Sequence, residues 1–133
     1  MHYDHAGRLL LRLTVGLLML PHGIDKLMGG AQGLFGLMRA NGFPEWLAYL
    51  SIVGEFIAPV LIIIGICTRP AAWVVAVHMV VALALAHTSH LFAIGNTGGL
   101  RIELQLFFLL GAVVVALMGA GRYSLGGSHG RYN

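Results

Sequence analysis

The segment from Trp46 to Cys67, WLAYLSIVGEFIAPVLIIIGIC, is an apolar run long enough to cross a bilayer, with one acid near its middle, Glu55. A carboxylate at that depth costs roughly 2.5–3.5 kcal/mol on insertion scales, so it cannot be left facing lipid. The chain must therefore supply further helices against which Glu55 can turn. Pro59 follows one turn later and has no N–H, which frees the carbonyl of residue 55 from its usual helical bond. A buried charge and a freed backbone acceptor fall together, and Glu55 is the first candidate for a functional residue.

Composition agrees with a membrane setting. Of the 133 residues 58% are hydrophobic and only 10% charged, against about 25% charged in a soluble domain. The chain is predicted to be all-α, an integral membrane four-helix bundle forming a single domain over 1–133. Its spans are expected at about 7–28, 46–67, 71–92 and 100–121, each near the roughly 20 residues that a bilayer core demands. Arg8 and Arg12 ahead of LTVGLLML resemble the start of a signal peptide. Leu20, Pro21 and His22 follow without a small-residue cleavage site, so a retained first helix is expected. Cys67 is the sole cysteine, which excludes an internal disulfide or a CxxC pair.

With four spans, both termini and the 68–70 turn share one side, together with Arg8, Arg12, Arg69, Arg122 and Arg131. Lys26, Arg39 and Arg101 fall on the other side, mixed with Asp25, Glu45 and Glu103. Positive residues gather in the cytoplasm, so a multi-pass protein with cytoplasmic N- and C-termini is expected. Membrane lipid is the expected surrounding, and no nucleic acid is expected as a partner.

The first span carries a polar stripe, because Arg8, Arg12, His22 and Lys26 lie within about 40° of one line at 100° per residue. Arg8 and Arg12 are expected to snorkel to the headgroups, and Lys26 can do the same at the far end, whereas His22 is too short. Between the first two spans, Leu34, Leu37 and Met38 share one helical face, which predicts a short helix in the outer interface or folded over the bundle. Trp46 and Tyr49, then Trp73 and Tyr123, suit aromatic belts at the two surfaces. The third span holds His78, His87 and His90. His78 is half a turn out of phase with His87, so a straight helix aims only one of them at a given point. Small residues recur at Ala112, Ala116 and Ala120, which permits close helix approach.

Counting about 1.5 Å per residue puts His22, Glu55 and His87 roughly 8–14 Å below the outer surface, with Lys26, His90, Arg101 and Glu103 nearer the mouth. The expected pocket is lined by His22, Lys26, Glu55, His87 and Glu103, and His78 is expected outside it. Three readings fit such a cluster. It neutralises Glu55 and locks the fold, since buried polar groups survive when paired. It binds a quinone, with histidine donors for a carbonyl oxygen and a carboxylate to relay protons. It holds a transition metal through His22, His87, His90 and a carboxylate, although no HxxxH or HExxH spacing supports that directly.

The order RLLLRLTVGLLMLPHGIDKL, then VGEFIAPVLIIIGICTRPAA, then GGLRIE, then GAGRYSL resembles the DoxX family over nearly the whole chain. The resemblance implies a four-helix bundle in the bacterial cytoplasmic (inner) membrane, with roles for His22, Lys26, Glu55, Arg69, Glu103 and Arg122. It also implies a link to thiosulfate:quinone oxidoreduction or to a membrane oxidoreductase complex with redox partners. One departure is visible, since the acid that usually follows GRYSL is Gly126 here. The leading expectation is a small membrane subunit of a redox system, whose outward-facing polar pocket handles quinone or a sulfur species. The chain has no CxxC, nucleotide loop or haem motif, so the redox reading requires a soluble or membrane partner protein or a bound cofactor to carry the electrons. The alternatives are a non-catalytic scaffold or assembly protein, or a metal or solute carrier, for which four spans suggest a homo-oligomer.

The arginine distribution has a direct check. A reporter fused to the C-terminus should be active only on the cytoplasmic side, and activity confined to the periplasm would reverse the assigned orientation.

Overall fold

The computed structural model describes residues 2–86, 91–96, 98–127, 130 and 132–133. All the regular elements among them are helical, with one isolated bridge between Ile94 and Leu100. Helix α1 spans His2–Asp25 and runs into a wide π turn, Lys26–Gly30. Helix α2 is Gln32–Ala40. Helix α3 is Glu45–Ile64, which starts as a 3-10 turn and widens into a π turn at Val53–Ile57. Helix α4 is Thr68–Ala86 and helix α5 is Glu103–Met118.

These bounds differ from the expected spans for local reasons. The first helix stops short of residue 28 because the backbone widens at Lys26. The second ends at Ile64, where Gly65 adopts the left-handed conformation that commonly closes a helix (φ 75°). The third begins at Thr68, ahead of Pro70, because a proline is tolerated in a first turn whose N–H groups have no helical partner anyway. Helices α3 and α4 are long and apolar enough to cross a membrane, over 20 and 18 residues respectively. Helix α1 is long enough but more charged, and α5, at 16 residues, is about 24 Å long.

One core joins α1, α3, α4 and α5. It consists of Val15 and Met19, Ala58 and Ile62, Ala71 to Met79 on the inner side of α4, and Phe108, Ala112, Val115 and Ala116. Ala71, Ala72 and Ala76 on α4 and Ala112 and Ala116 on α5 are fully or almost fully buried, and side chains this short let the two backbones approach. Outward lie Leu17, Leu18, Val77, Val80, Phe107, Leu110 and Leu117, all exposed and apolar. A surface of that kind is suited to lipid rather than water.

Arg12 corrects the snorkelling expectation. It is 1% exposed and sits among the helix ends instead of reaching outward. Its Nη1 donates to Ala120 O at 2.6 Å, and its Nη2 donates to Ile63 O at 3.2 Å and Tyr123 O at 3.1 Å. Ile63 lies in the last turn of α3, and Ala120 follows the end of α5, so one guanidinium serves carbonyls that the two helices cannot pair internally. Arg8, half-buried, donates to Met118 O and pairs with Asp4 at 3.2 Å.

Removing Arg12 should therefore loosen one end of the whole assembly. Hydrogen bonds to charged groups contribute about 1.5–3 kcal/mol each, so Arg12→Met should destabilise by about 3 kcal/mol or more. Arg12→Lys, which keeps the charge but loses the planar fork, should recover only part of that. Thermal unfolding of the purified protein in detergent measures both, and a wild-type midpoint for Arg12→Met would refute the assignment.

Candidate functional site

Glu55 lies in the π turn of α3 and is 7% exposed. The N–H of Ala58 reaches back to Val53 O, five residues away instead of four. This widening falls just before Pro59, whose missing N–H makes the regular ladder impossible for the carbonyl of residue 55. The turn presents the Glu55 carboxylate between α1 and α4. Lys26, in the π turn that extends α1, places Nζ 2.6 Å from Oε2. His78, on α4, donates from Nε2 to Oε1 at 2.7 Å. Both carboxylate oxygens are thus engaged by basic side chains from two other parts of the chain.

Two glycines make this geometry attainable. A Cβ on Gly54 would come within 2.6 Å of His78 Cγ, so only glycine leaves room for the imidazole beside α3. A Cβ on Gly23 would come within 2.3 Å of the Glu55 carbonyl oxygen, so α1 crosses α3 in backbone contact beside the site. Ser51, one turn before Glu55, is buried and donates to Ala48 O at 2.7 Å, which leaves its hydroxyl satisfied locally.

The cluster stands in the wall of a groove of about 680 Å³. Apart from Lys26, Ser51, Glu55 and His78, its lining is apolar: Leu34, Leu37 and Met38 of α2, Leu50 and Val53 of α3, and Val74, Val77 and Val81 of α4 among others. Leu50, Val53, Val77 and Val81 are exposed, so the groove opens sideways, where lipid would lie. Helix α2 folds over it with the predicted apolar face, and an Arg39 Nε to Glu45 bond of 2.9 Å ties its end to α3. A second cavity of about 310 Å³ lies against the same pair, lined by Pro21, His22, Asp25, Lys26 and Glu55.

The expected pocket is partly redrawn. Lys26 and Glu55 pair directly, and His22 shares the smaller cavity with them. The His22 ring is exposed, edge-on to Phe108, with Nδ1 bonded to Leu18 O at 3.2 Å. His78 was expected outside and instead touches Glu55. The reason is its height. Glu55 is nine residues before the end of α3 and His78 ten after the start of α4, so a short turn between antiparallel helices brings them level. Neither the phase difference from His87 nor a count from residue 71 fixes that level, and Gly54 is the sequence feature that admits the contact. Glu103 is a further correction, because it lines neither cavity and its carboxylate folds back over Gly99. His87 and His90 lie outside the described residues. Among the described residues no three His, Cys, Asp or Glu side chains gather as a metal would need.

Comparison with known proteins adds a family. The DoxX family profile matches residues 7–88. A Bacillus subtilis (strain 168) protein named "Putative oxidoreductase CatD" is 29% identical over 114 residues, covering 86% of this chain and 80% of that protein. An uncharacterized membrane protein of Mycobacterium tuberculosis is 33% identical over 127 residues, covering 86% of this chain and 76% of its own. A protein of Haemophilus influenzae is 31% identical over 103 residues, covering 74% and 75%. No solved structure matches significantly.

Gly54 and Gly36 should respond differently to alanine. Gly54→Ala should displace His78 from Glu55 and destabilise by about 1–3 kcal/mol, the usual range for overpacking. Gly36→Ala, on the exposed side of α2 with nothing within 4 Å, should be neutral or stabilise by up to about 1 kcal/mol. Equal unfolding midpoints for the two variants would mean that the close approach at Gly54 is not needed.

Proposed function

This chain belongs to the DoxX family of membrane proteins, and we propose that it is a four-helix inner-membrane subunit of a redox system. In this reading α1, α3, α4 and α5 all cross the bilayer, with both termini in the cytoplasm. Its site binds the ring of a quinone against Lys26, Glu55 and His78. The observation that carries this reading is the single polar cluster in the wall of an otherwise apolar, laterally open groove.

The chemistry follows from the donors. A quinone carbonyl accepts hydrogen bonds, and the Lys26 ammonium, with three N–H groups, has donors to spare beside Glu55, while the His78 imidazole stands at the same wall. An isoprenoid tail would lie along Val74, Val77 and Val81, where its apolar area replaces lipid contacts. A free sulfur anion suits the groove less well, because those same walls would strip its hydration without replacement. Reduction of the ring adds two electrons and two protons. The electrons come from a two-electron reductant on a partner protein, and the oxidoreductase name of the Bacillus relative is in keeping with that role. The protein's own share is to bind, orient and exchange protons.

The engagement of both Glu55 oxygens also favours a second reading, in which the cluster only neutralises a buried acid within a scaffold. Quinone extraction from the purified protein separates the two. The redox reading expects co-purifying quinone, or uptake of an added short-chain quinone. It further expects Glu55→Gln and His78→Phe to reduce that binding about tenfold or more, a loss of about 1.4 kcal/mol per decade, with helical content retained. A wild-type protein that neither carries nor takes up quinone, with a Glu55→Gln variant that merely unfolds, would leave the scaffold.

A further inference from the structure

Lys26 and Glu55 border two cavities that differ in the side chains around them. The groove behind them is walled by aliphatic side chains and opens toward lipid. The smaller cavity is lined by Pro21, His22 and Asp25 together with the pair itself, and those three residues are exposed. All of its lining except Glu55 comes from the end of α1 and the first residue of its π turn. The ion pair is therefore a wall common to both cavities, the groove lined mainly by aliphatic residues and the cleft by His22, Asp25 and the pair itself.

From this shared wall we infer that the cleft is the aqueous port of the site. Water and protons reach Glu55 past His22 and Asp25, while the organic ligand reaches the same group from the lipid side. The groups around Glu55 are arranged for such a division. Lys26 meets it from the π turn and His78 from α4, both at the groove wall, while His22 and Asp25 stand on the cleft side. Helix α5 contributes Phe108, which stands edge-on to the His22 ring at 6.0 Å and adds no charge. A ring seated in the groove would keep water from that side. A proton given by the Lys26 ammonium to a ring oxygen would then be replaced through the Glu55 carboxylate from cleft water. The electrons that accompany it come from the partner reductant and do not cross the shared wall. This use of the port rests on the quinone reading, whereas the port itself does not.

Cysteine accessibility tests the division on the full-length protein. Cys67 is the sole native cysteine, so a Cys67→Ser background can carry single cysteines in the cleft (His22→Cys, Asp25→Cys) or in the groove (Val77→Cys, Val81→Cys). In membrane vesicles a charged thiosulfonate, applied to the face where α1 ends, should modify the cleft positions about tenfold or more faster than the groove positions, because charge is excluded from apolar surroundings. A lipophilic maleimide should reach the groove positions. Glu55→Cys should react with the charged reagent, and a bulky group already attached at position 25 should block that reaction. If Glu55→Cys does not fold, the four wall positions still decide the matter. Equal rates at 25 and 77 would mean one continuous aqueous cavity, and no reaction at 22 or 25 would mean a sealed cleft. Either result overturns the port. Quinone uptake is measured on the same vesicles, so a protein with sided labelling and no quinone would sink the quinone reading and leave the port standing.

Discussion

The carboxylate of Glu55 is the constraint around which the other helices are arranged. An ionised acid in the middle of an apolar helix is costly unless it is paired, and removing one partner of a buried pair costs roughly 3–5 kcal/mol. Pairing it takes groups from elsewhere in the chain, since its own helix offers none nearby. Lys26 and His78 meet that need, and each requires a backbone accommodation. The π turn at Val53–Ile57 carries the acid, a second π turn carries the lysine, and Gly54 admits the histidine. Departures from regular helix thus concentrate at this one point in the interior.

Helix α1 is held at two levels by the same means. Arg12 lies near the middle of α1 and Lys26 just beyond its end, close to one line along its surface. Arg12 takes up carbonyls left open where α3 ends and beyond the end of α5. Lys26 takes up the carboxylate in the middle of α3. Between them Val15 and Met19 pack into the common core. The two cations differ in what they meet. Arginine faces fixed backbone dipoles, which suits a permanent structural tie. Lysine faces a titratable group at the edge of two cavities, where a proton or a ligand can compete for it.

The proposed function rests on the second tie. An ion pair enclosed on every side would be only an internal support. Here the pair is half-buried on the lysine side and borders both an apolar groove and the cleft beside His22 and Asp25. The groove is walled mainly by apolar side chains, and among the described residues Lys26, Ser51, Glu55 and His78 bring polar groups to it, with the Trp73 indole also in its lining. Neither cavity needs a large rearrangement for access, because the groove is open laterally and the cleft is bounded by exposed residues.

The sequence alone determined that the chain is helical and apolar, that it belongs with DoxX proteins, that Glu55 needs a partner, and that α2 has an apolar face to lay over the rest. The family follows from the order of its matching segments, and the other conclusions follow from local physics: hydropathy, the cost of a charge in an apolar span, the missing N–H of Pro59 and the period of a helix. Tertiary structure alone decided which partners Glu55 takes and what Arg12 does. His78 could be read from phase as facing away, but its contact depends on its height relative to α3, on the shortness of the 65–67 turn and on the absent side chain of Gly54. Arg12 could be read as snorkelling because its reach is the same in either direction, and the open carbonyls that attract it belong to residues more than fifty positions away. Pairing across helices depends on register, rotation and close approach together. A single helix encodes its own rotation, but register and approach exist only once two helices have packed.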